Sequence, residues 1–61
     1  MYYQEFGPWQ NRYGYTITMA CVDDMYMLKA VTPYGQNRIT YHWSEESLEQ
    51  QIELYDQDRV Y

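Results

Sequence analysis

The sequence predicts an α+β fold, a three-stranded antiparallel β meander with one C-terminal amphipathic acidic helix. Apolar and polar side chains alternate through residues 13–43, with turn signals between the alternating runs. From residue 44 the apolar period changes to that of a helix, and carboxylates accumulate there. A length of 61 residues allows one hydrophobic core, so residues 1–61 are expected to form a single domain.

Three strands follow from the alternation. The first spans residues 13–22 and ends at a tight hairpin turn made by Asp23-Asp24. The second spans residues 25–32, and turn-forming residues at 33–37 separate it from a third strand at 38–43. Because the connections are short, consecutive strands are expected to pair antiparallel.

Residues 1–12 predict an N-terminal arm. They place four aromatic residues around Gly7-Pro8: Tyr2, Tyr3, Phe6 and Trp9. Proline interrupts a regular strand, so we expect an irregular aromatic arm with a short strand at its start. Such an arm packs either on its own core or on a partner.

Residues 44–56 predict the helix. Its apolar stripe recurs at i, i+4 and i+7: Leu48, Ile52 and Tyr55. Either Ser44 or Ser47 suits the N-cap, and Ser47 has Gln50 three residues later, which is the spacing of a capping box. After the helix, residues 59–61 are expected to add a short edge strand.

Aromatic residues supply most of the surface that this chain can bury. Leu, Ile, Val and Phe number only ten, whereas twelve residues are aromatic and nine of these are Tyr. A chain this short buries only about 60% of its unfolded surface, and Cys21 has no partner for an intramolecular disulfide. We therefore expect a homodimer. The lone cysteine is typical of a reducing compartment such as the cytoplasm.

The net charge excludes several classes of partner. It is −5, with a pI near 4.4 and no cluster of Lys or Arg, so phosphate backbones and anionic membranes repel the chain. The longest apolar runs are four residues, too short to span a membrane, and the N-terminus lacks the pattern of a signal peptide. We expect neither direct nucleic-acid binding nor membrane association.

Groups suited to catalysis or metal binding are scarce. His42 is the single histidine and lies between aromatic residues of a strand, which favours a structural role. Cys21 lies in an apolar alternation, as a small buried side chain does. Asp23-Asp24 lacks the spacing of a calcium loop and suits a turn. The sequence predicts a protein that is not an enzyme and needs no cofactor or metal.

Carboxylates dominate the helix. Six lie between residues 45 and 58 with no basic residue among them. At 1.5 Å per residue, four of them follow one helix face over about 16 Å: Glu45, Glu49, Glu53 and Asp56. Such a row is either a solvated helix face or, beside a surplus of aromatic anchors, a surface that meets a basic cleft. The candidate partner-binding residues are Glu45, Glu46, Glu49, Glu53, Asp56, Leu48, Ile52 and Tyr55.

Several short segments, together about half of the chain, carry a resemblance to a known family. They are Ile17-Thr18-Met19, Asp23-Asp24, Tyr41-His42 and an acidic helix with Ser47-Leu48 that ends in Leu54-Tyr55. In these segments the chain resembles the small uracil-DNA glycosylase inhibitors of Bacillus podophages. The resemblance implies a dimeric phage protein without catalysis of its own. It would mimic DNA in the DNA-binding cleft of a host uracil-DNA glycosylase, in the bacterial cytoplasm.

The resemblance also implies roles for helix residues. By position, Glu46, Glu49 and Glu53 would supply charge. Leu48, Ile52 and Tyr55 would line or flank an apolar groove at the dimer, which receives a leucine of the enzyme. The family helix carries an aromatic anchor near Gln51 or Ile52, and neither is aromatic here. Two alternatives stay open. One is a DNA-mimic anti-defence protein against another nuclease, and the other is a small protein–protein interaction module that uses the aromatic arm.

Overall fold

Four β-strands precede one α-helix in the computed structural model, which describes residues 3–59 and, for Tyr3, the backbone alone. The elements are β1 (Tyr3–Gln10), β2 (Thr16–Val22), β3 (Met25–Val31), β4 (Asn37–His42) and α1 (Glu45–Asp56). The strands form one antiparallel sheet in the order β1-β2-β3-β4. The predicted α+β class, the meander and the C-terminal helix are confirmed. The predicted number of three strands is wrong.

The additional strand is β1, which occupies most of the predicted aromatic arm. Its register against β2 shifts between Phe6 and Trp9, where a bulge contains Gly7 and Pro8. Gly7 has a φ of 101°, and a Cβ there would lie 2.9 Å from the carbonyl oxygen of Ile17, so glycine is required. The bulge breaks the alternation that identifies a strand in sequence. Proline is tolerated because β1 is an edge strand.

The two predicted turns join the central strands. Asp23-Asp24 forms the whole connection between β2 and β3, as predicted, with Asp23 at a φ of 55°. Aspartate tolerates this left-handed conformation better than most residues. In the following turn the Thr32 hydroxyl accepts hydrogen bonds from the backbone N–H groups of Tyr34 and Gln36, at 3.3 and 3.0 Å.

The core lies between α1 and one face of the sheet. It is formed by buried apolar side chains of β2, β3 and α1 and by Tyr15, which directly precedes β2: Tyr15, Ile17, Leu28, Ala30, Leu48 and Tyr55. The rings of Tyr15 and Tyr55 lie 5.2 Å apart at an angle of 54°, within the range of favourable aromatic pairs. The helix packs on β3 and β4. Among residues 3–59 it therefore covers the β1–β2 half of this face only in part, since Ile17 of β2 is fully buried whereas Phe6 of β1 is 42% exposed.

Both ends of α1 are capped. Ser44 is the N-cap, and its hydroxyl accepts a hydrogen bond from the backbone N–H of Ser47 at 3.2 Å. At the other end Asp58 has a φ of 55°, and the N–H of Arg59 donates to the carbonyl of Leu54 at 2.9 Å. This is the geometry of a Schellman motif. The edge strand predicted at residues 59–61 falls largely on residues 60 and 61, which lie outside the described residues.

Candidate partner-binding groove

An apolar groove runs between α1 and the partly covered β1–β2 half of the sheet, and we call it the helix groove. It has a volume of about 530 Å³. Its lining residues come from all elements except β4: Gln4, Phe6, Met19, Cys21, Tyr26, Glu45, Leu48, Glu49 and Ile52. The groove forms because the sheet is wider than the single helix that packs on it. A helix about 10 Å wide covers two strands that lie about 4.8 Å apart, and this sheet has four.

The floor and walls of the helix groove are apolar and reachable from solvent. Phe6 is 42% exposed on β1. Met19 and Cys21 on β2 and Ile52 on α1 are half-buried. Met19, Tyr26 and Ile52 also pack against the core, so the groove continues from the core as a fixed surface.

Carboxylates form the rim on the helix side. Glu45 and Glu49 line the groove and are exposed. At 3.6 residues per turn, Glu53 and Asp56 continue along the same flank, whereas Glu46 projects further towards solvent. None of the lining residues is basic, so an incoming cation meets carboxylates without a competing positive charge.

Tyr26 links the floor to the rim. Its hydroxyl donates a hydrogen bond to Oε1 of Glu45 at 3.4 Å. Partial burial of the phenol, followed by the negative charge of Glu45, raises the pKa of Tyr26 above its ordinary value. At neutral pH the Tyr26 hydroxyl is therefore protonated and donates to Glu45. The Glu45 side chain is exposed, so its carboxylate can also contact a positively charged partner.

A hydrogen-bonded chain fixes the position of α1 beside the groove. The ring of buried His42 is joined to the Thr40 hydroxyl at 2.8 Å through Nε2 and to the Ser47 hydroxyl at 2.9 Å through Nδ1. This chain ties the first turn of the helix to β4. It explains the histidine as a structural residue, and it uses the Ser47 hydroxyl, which leaves the N-cap position to Ser44.

The predicted site residues divide into three groups. Glu45, Glu49, Leu48 and Ile52 come together in the helix groove. Glu46, Glu53 and Asp56 are exposed on α1 outside the groove lining. Tyr55 is 1% exposed and lies in the core, because its position on the stripe points at Tyr15.

Five lining residues were not among the predicted site residues: Gln4, Phe6, Met19, Cys21 and Tyr26. The alternation of β2 does place Met19 and Cys21 on the face of Ile17, so that signal was available in the sequence. Phe6 required the knowledge that β1 is a strand. It supplies an aromatic side chain in the groove, although α1 has none at Gln51 or Ile52.

Two properties of the described residues bear on the class of function. Between residues 3 and 59 no group of three or more His, Cys, Asp or Glu side chains is arranged to hold a metal ion. Across the same residues, no helix combines the length and apolar character needed to cross a membrane.

Comparisons with known proteins identify no relative. The chain matches no protein-family model, no curated protein and no solved structure.

Proposed function

We propose that this protein inhibits a DNA-binding enzyme by occupying the enzyme's DNA-binding cleft, with the helix groove and its acidic rim as the contact surface. The observation that supports the proposal most is the combination of an apolar groove with carboxylates along one wall. The preferred target is uracil-DNA glycosylase, which rests on the family resemblance. A nuclease that also binds DNA is the alternative target.

The charge of α1 suits a cleft built for DNA. Four carboxylates along about 16 Å correspond to about one charge per 5 Å, against one per 3.4 Å along a single DNA strand. A cleft lined by Lys and Arg attracts such a row at a distance and accelerates association. Glu53 and Asp56, which do not line the groove, extend the row of carboxylates beyond it.

The groove suits the second requirement of a DNA mimic. Enzymes that extrude a base open the stack, and proteins that kink DNA commonly do so with an inserted apolar side chain. An apolar side chain on the cleft would lose water against Phe6, Met19 and Ile52. Each such side chain contributes about 1.5–3 kcal/mol when it is fully buried.

The interaction-module alternative depended on a separate aromatic arm. Residues 3–10 instead form β1, and Trp9 packs against the core of this chain. The described part of the arm thus belongs to the fold, and Phe6 is an aromatic residue that it contributes to the groove.

The test of the target is release of uracil from a labelled oligonucleotide by bacterial uracil-DNA glycosylase. Stoichiometric addition of the protein is expected to abolish release. Phe6→Glu places a charge in the groove and is expected to restore release, whereas Leu54→Glu, at 39% exposure outside the groove lining, leaves inhibition intact. Full activity at a large excess of protein would exclude this enzyme and make a nuclease the next target.

The test of the mechanism is the salt dependence of association. A DNA mimic loses association rate steeply as salt is added, because charged surfaces beyond a Debye length of about 8 Å at physiological ionic strength are screened. An association rate that does not change with salt would contradict mimicry for any target.

A further inference from the structure

The sheet has a second apolar surface, on the face that points away from α1, and we call it the open face. Register and alternation place its apolar side chains on β2, β3 and β4: Val22, Met25, Met27, Val31, Ile39 and Tyr41. No element formed by residues 3–59 packs on it.

On β3 and β4 the open face is more apolar than a solvated sheet, whereas β1 and the start of β2 place polar side chains there: Glu5, Gln10, Thr16 and Thr18. An antiparallel sheet that faces water on one side alternates apolar residues with polar ones. Here the outward positions of β3 carry Met25, Met27 and Val31, with Lys29 between them. On β4, Ile39 is 49% exposed and Tyr41 is 59% exposed.

Charge favours a second copy of the chain as the occupant. Strands β1–β4 place one carboxylate and one ammonium group on the open face, Glu5 and Lys29, so this face is neutral although the chain has a net charge of −5. The helix carboxylates lie on the opposite side of the sheet. With layers about 10 Å apart, two copies stacked by their open faces hold their helices about 30 Å apart, several Debye lengths at physiological salt.

The area of the open face limits which partner can cover it. Four strands at about 4.8 Å and seven residues at about 3.4 Å give a face of roughly 19 by 24 Å. Two such flat faces provide roughly 900 Å², which is below the lower limit of about 1,200 Å² for specific interfaces, and projecting side chains add to this area. A stable partner must therefore cover the whole face, and an identical twisted sheet does so.

We propose that two copies of this chain associate through their open faces into a four-layer sandwich, with the two α1 helices outermost. Both helix grooves then point away from the interface and stay accessible. Each groove is formed within one chain, unlike the groove at the dimer that the family resemblance implies. The assembly is independent of the proposed inhibition, because it uses the other side of the sheet.

Sedimentation velocity over a range of micromolar concentrations tests this assembly. The wild-type chain is expected to sediment at twice its mass of 7.5 kDa. Met27→Glu on central β3 and Tyr41→Glu on β4 are each expected to shift it to a folded monomer with unchanged circular dichroism. Tyr34→Glu adds the same charge at a turn residue that is 92% exposed, and it is expected to remain dimeric.

Three results would overturn the proposal. A wild-type monomer at every concentration removes the dimer. A dimer that survives Met27→Glu but not Tyr41→Glu is paired along the β4 edge instead. Dissociation by Tyr34→Glu to the same extent as by Met27→Glu assigns the effect to net charge rather than to the open face.

Discussion

Tyr15 shows how one residue connects the core with the end of the helix. Its ring packs on Tyr55, and its hydroxyl donates to Oδ1 of Asp58 at 3.1 Å. Burial first, and then the hydrogen bond to the carboxylate, raises the pKa of Tyr15 above its ordinary value. Folding thus favours the neutral phenol.

The raised pKa of Tyr15 predicts a loss of stability at alkaline pH. In the unfolded chain the phenol titrates near pH 10, so this contribution is complete below that pH and is lost as pH rises through the higher folded-state value. Tyr15→Phe is expected to flatten the alkaline decline of the unfolding free energy, and to lower that energy by about 1 kcal/mol at neutral pH for the lost hydrogen bond.

The measurement for Tyr15 is urea unfolding from neutral to alkaline pH. Tyr34→Phe is the matched control, because Tyr34 is 92% exposed. If the unfolding free energy falls equally steeply with alkaline pH in the wild type and in Tyr15→Phe, the decline does not come from Tyr15.

The helix stripe shows what residue spacing predicts and what it does not. Leu48, Ile52 and Tyr55 do share the sheet-facing side of α1, as predicted from their period. The structure then divides them, because Tyr55 is in the core and Ile52 lines the groove. A core and an apolar groove need the same residue type, so periodicity alone does not separate them.

At the scale of elements, β1 is the strand that the sequence pattern predicts least well. Its alternation is interrupted by Gly7-Pro8, and a bulge restores the register by bringing Phe6 and Trp9 to the same face. The other three strands keep a clean alternation and were predicted within a few residues. Identification of β1 depends on its pairing with β2, which is a contact between distant residues rather than a local pattern.

The N-cap assignment predicts a difference between two substitutions of Ser44. Ser44→Ala removes the acceptor for the Ser47 N–H and is expected to cost about 1 kcal/mol of unfolding free energy, whereas Ser44→Gly costs only a few tenths. Thermal or urea unfolding measures both. A Ser44→Ala variant as stable as the wild type would refute the cap.

The acidic flank of α1 predicts an effect on association rate. Glu45→Gln and Glu49→Gln, singly and together, are expected to slow binding to the target at low salt while leaving the helix signal unchanged, because Gln has nearly the helix propensity of Glu. Glu5→Gln on the open face removes one equal charge and is the control for Glu49→Gln. If both single variants bind at the same rate, net charge rather than the flank controls association.

At the scale of the whole molecule, one helix is too small for the sheet. It packs on two of the four strands on one face, and no helix or strand formed by residues 3–59 packs on the other face. Composition already indicated surplus apolar surface for so short a chain, which is why a homodimer was expected. The two surfaces that carry this surplus are the helix groove and the open face. They can be located only once the pairing of β1 with β2 and the position of α1 on the sheet are known.

The single cysteine distinguishes the two surfaces. Cys21 lines the helix groove on the side opposite the open face. Its alkylation rate, followed by the mass of the intact protein, is expected to fall when a target enzyme binds and to stay constant when the protein is concentrated enough to dimerise. An unchanged rate in the inhibited complex would place the target elsewhere.

Displacement of a labelled uracil-containing duplex from bacterial uracil-DNA glycosylase tests the central claim, that the helix groove and its acidic rim take the place of DNA. The wild-type protein is expected to displace the duplex at equal stoichiometry, and Phe6→Glu and Glu49→Gln are expected to displace it less well. Leu54→Glu and Glu5→Gln are expected to match the wild type. A duplex that stays bound at excess protein, or groove variants that displace it as well as the wild type does, would contradict the claim.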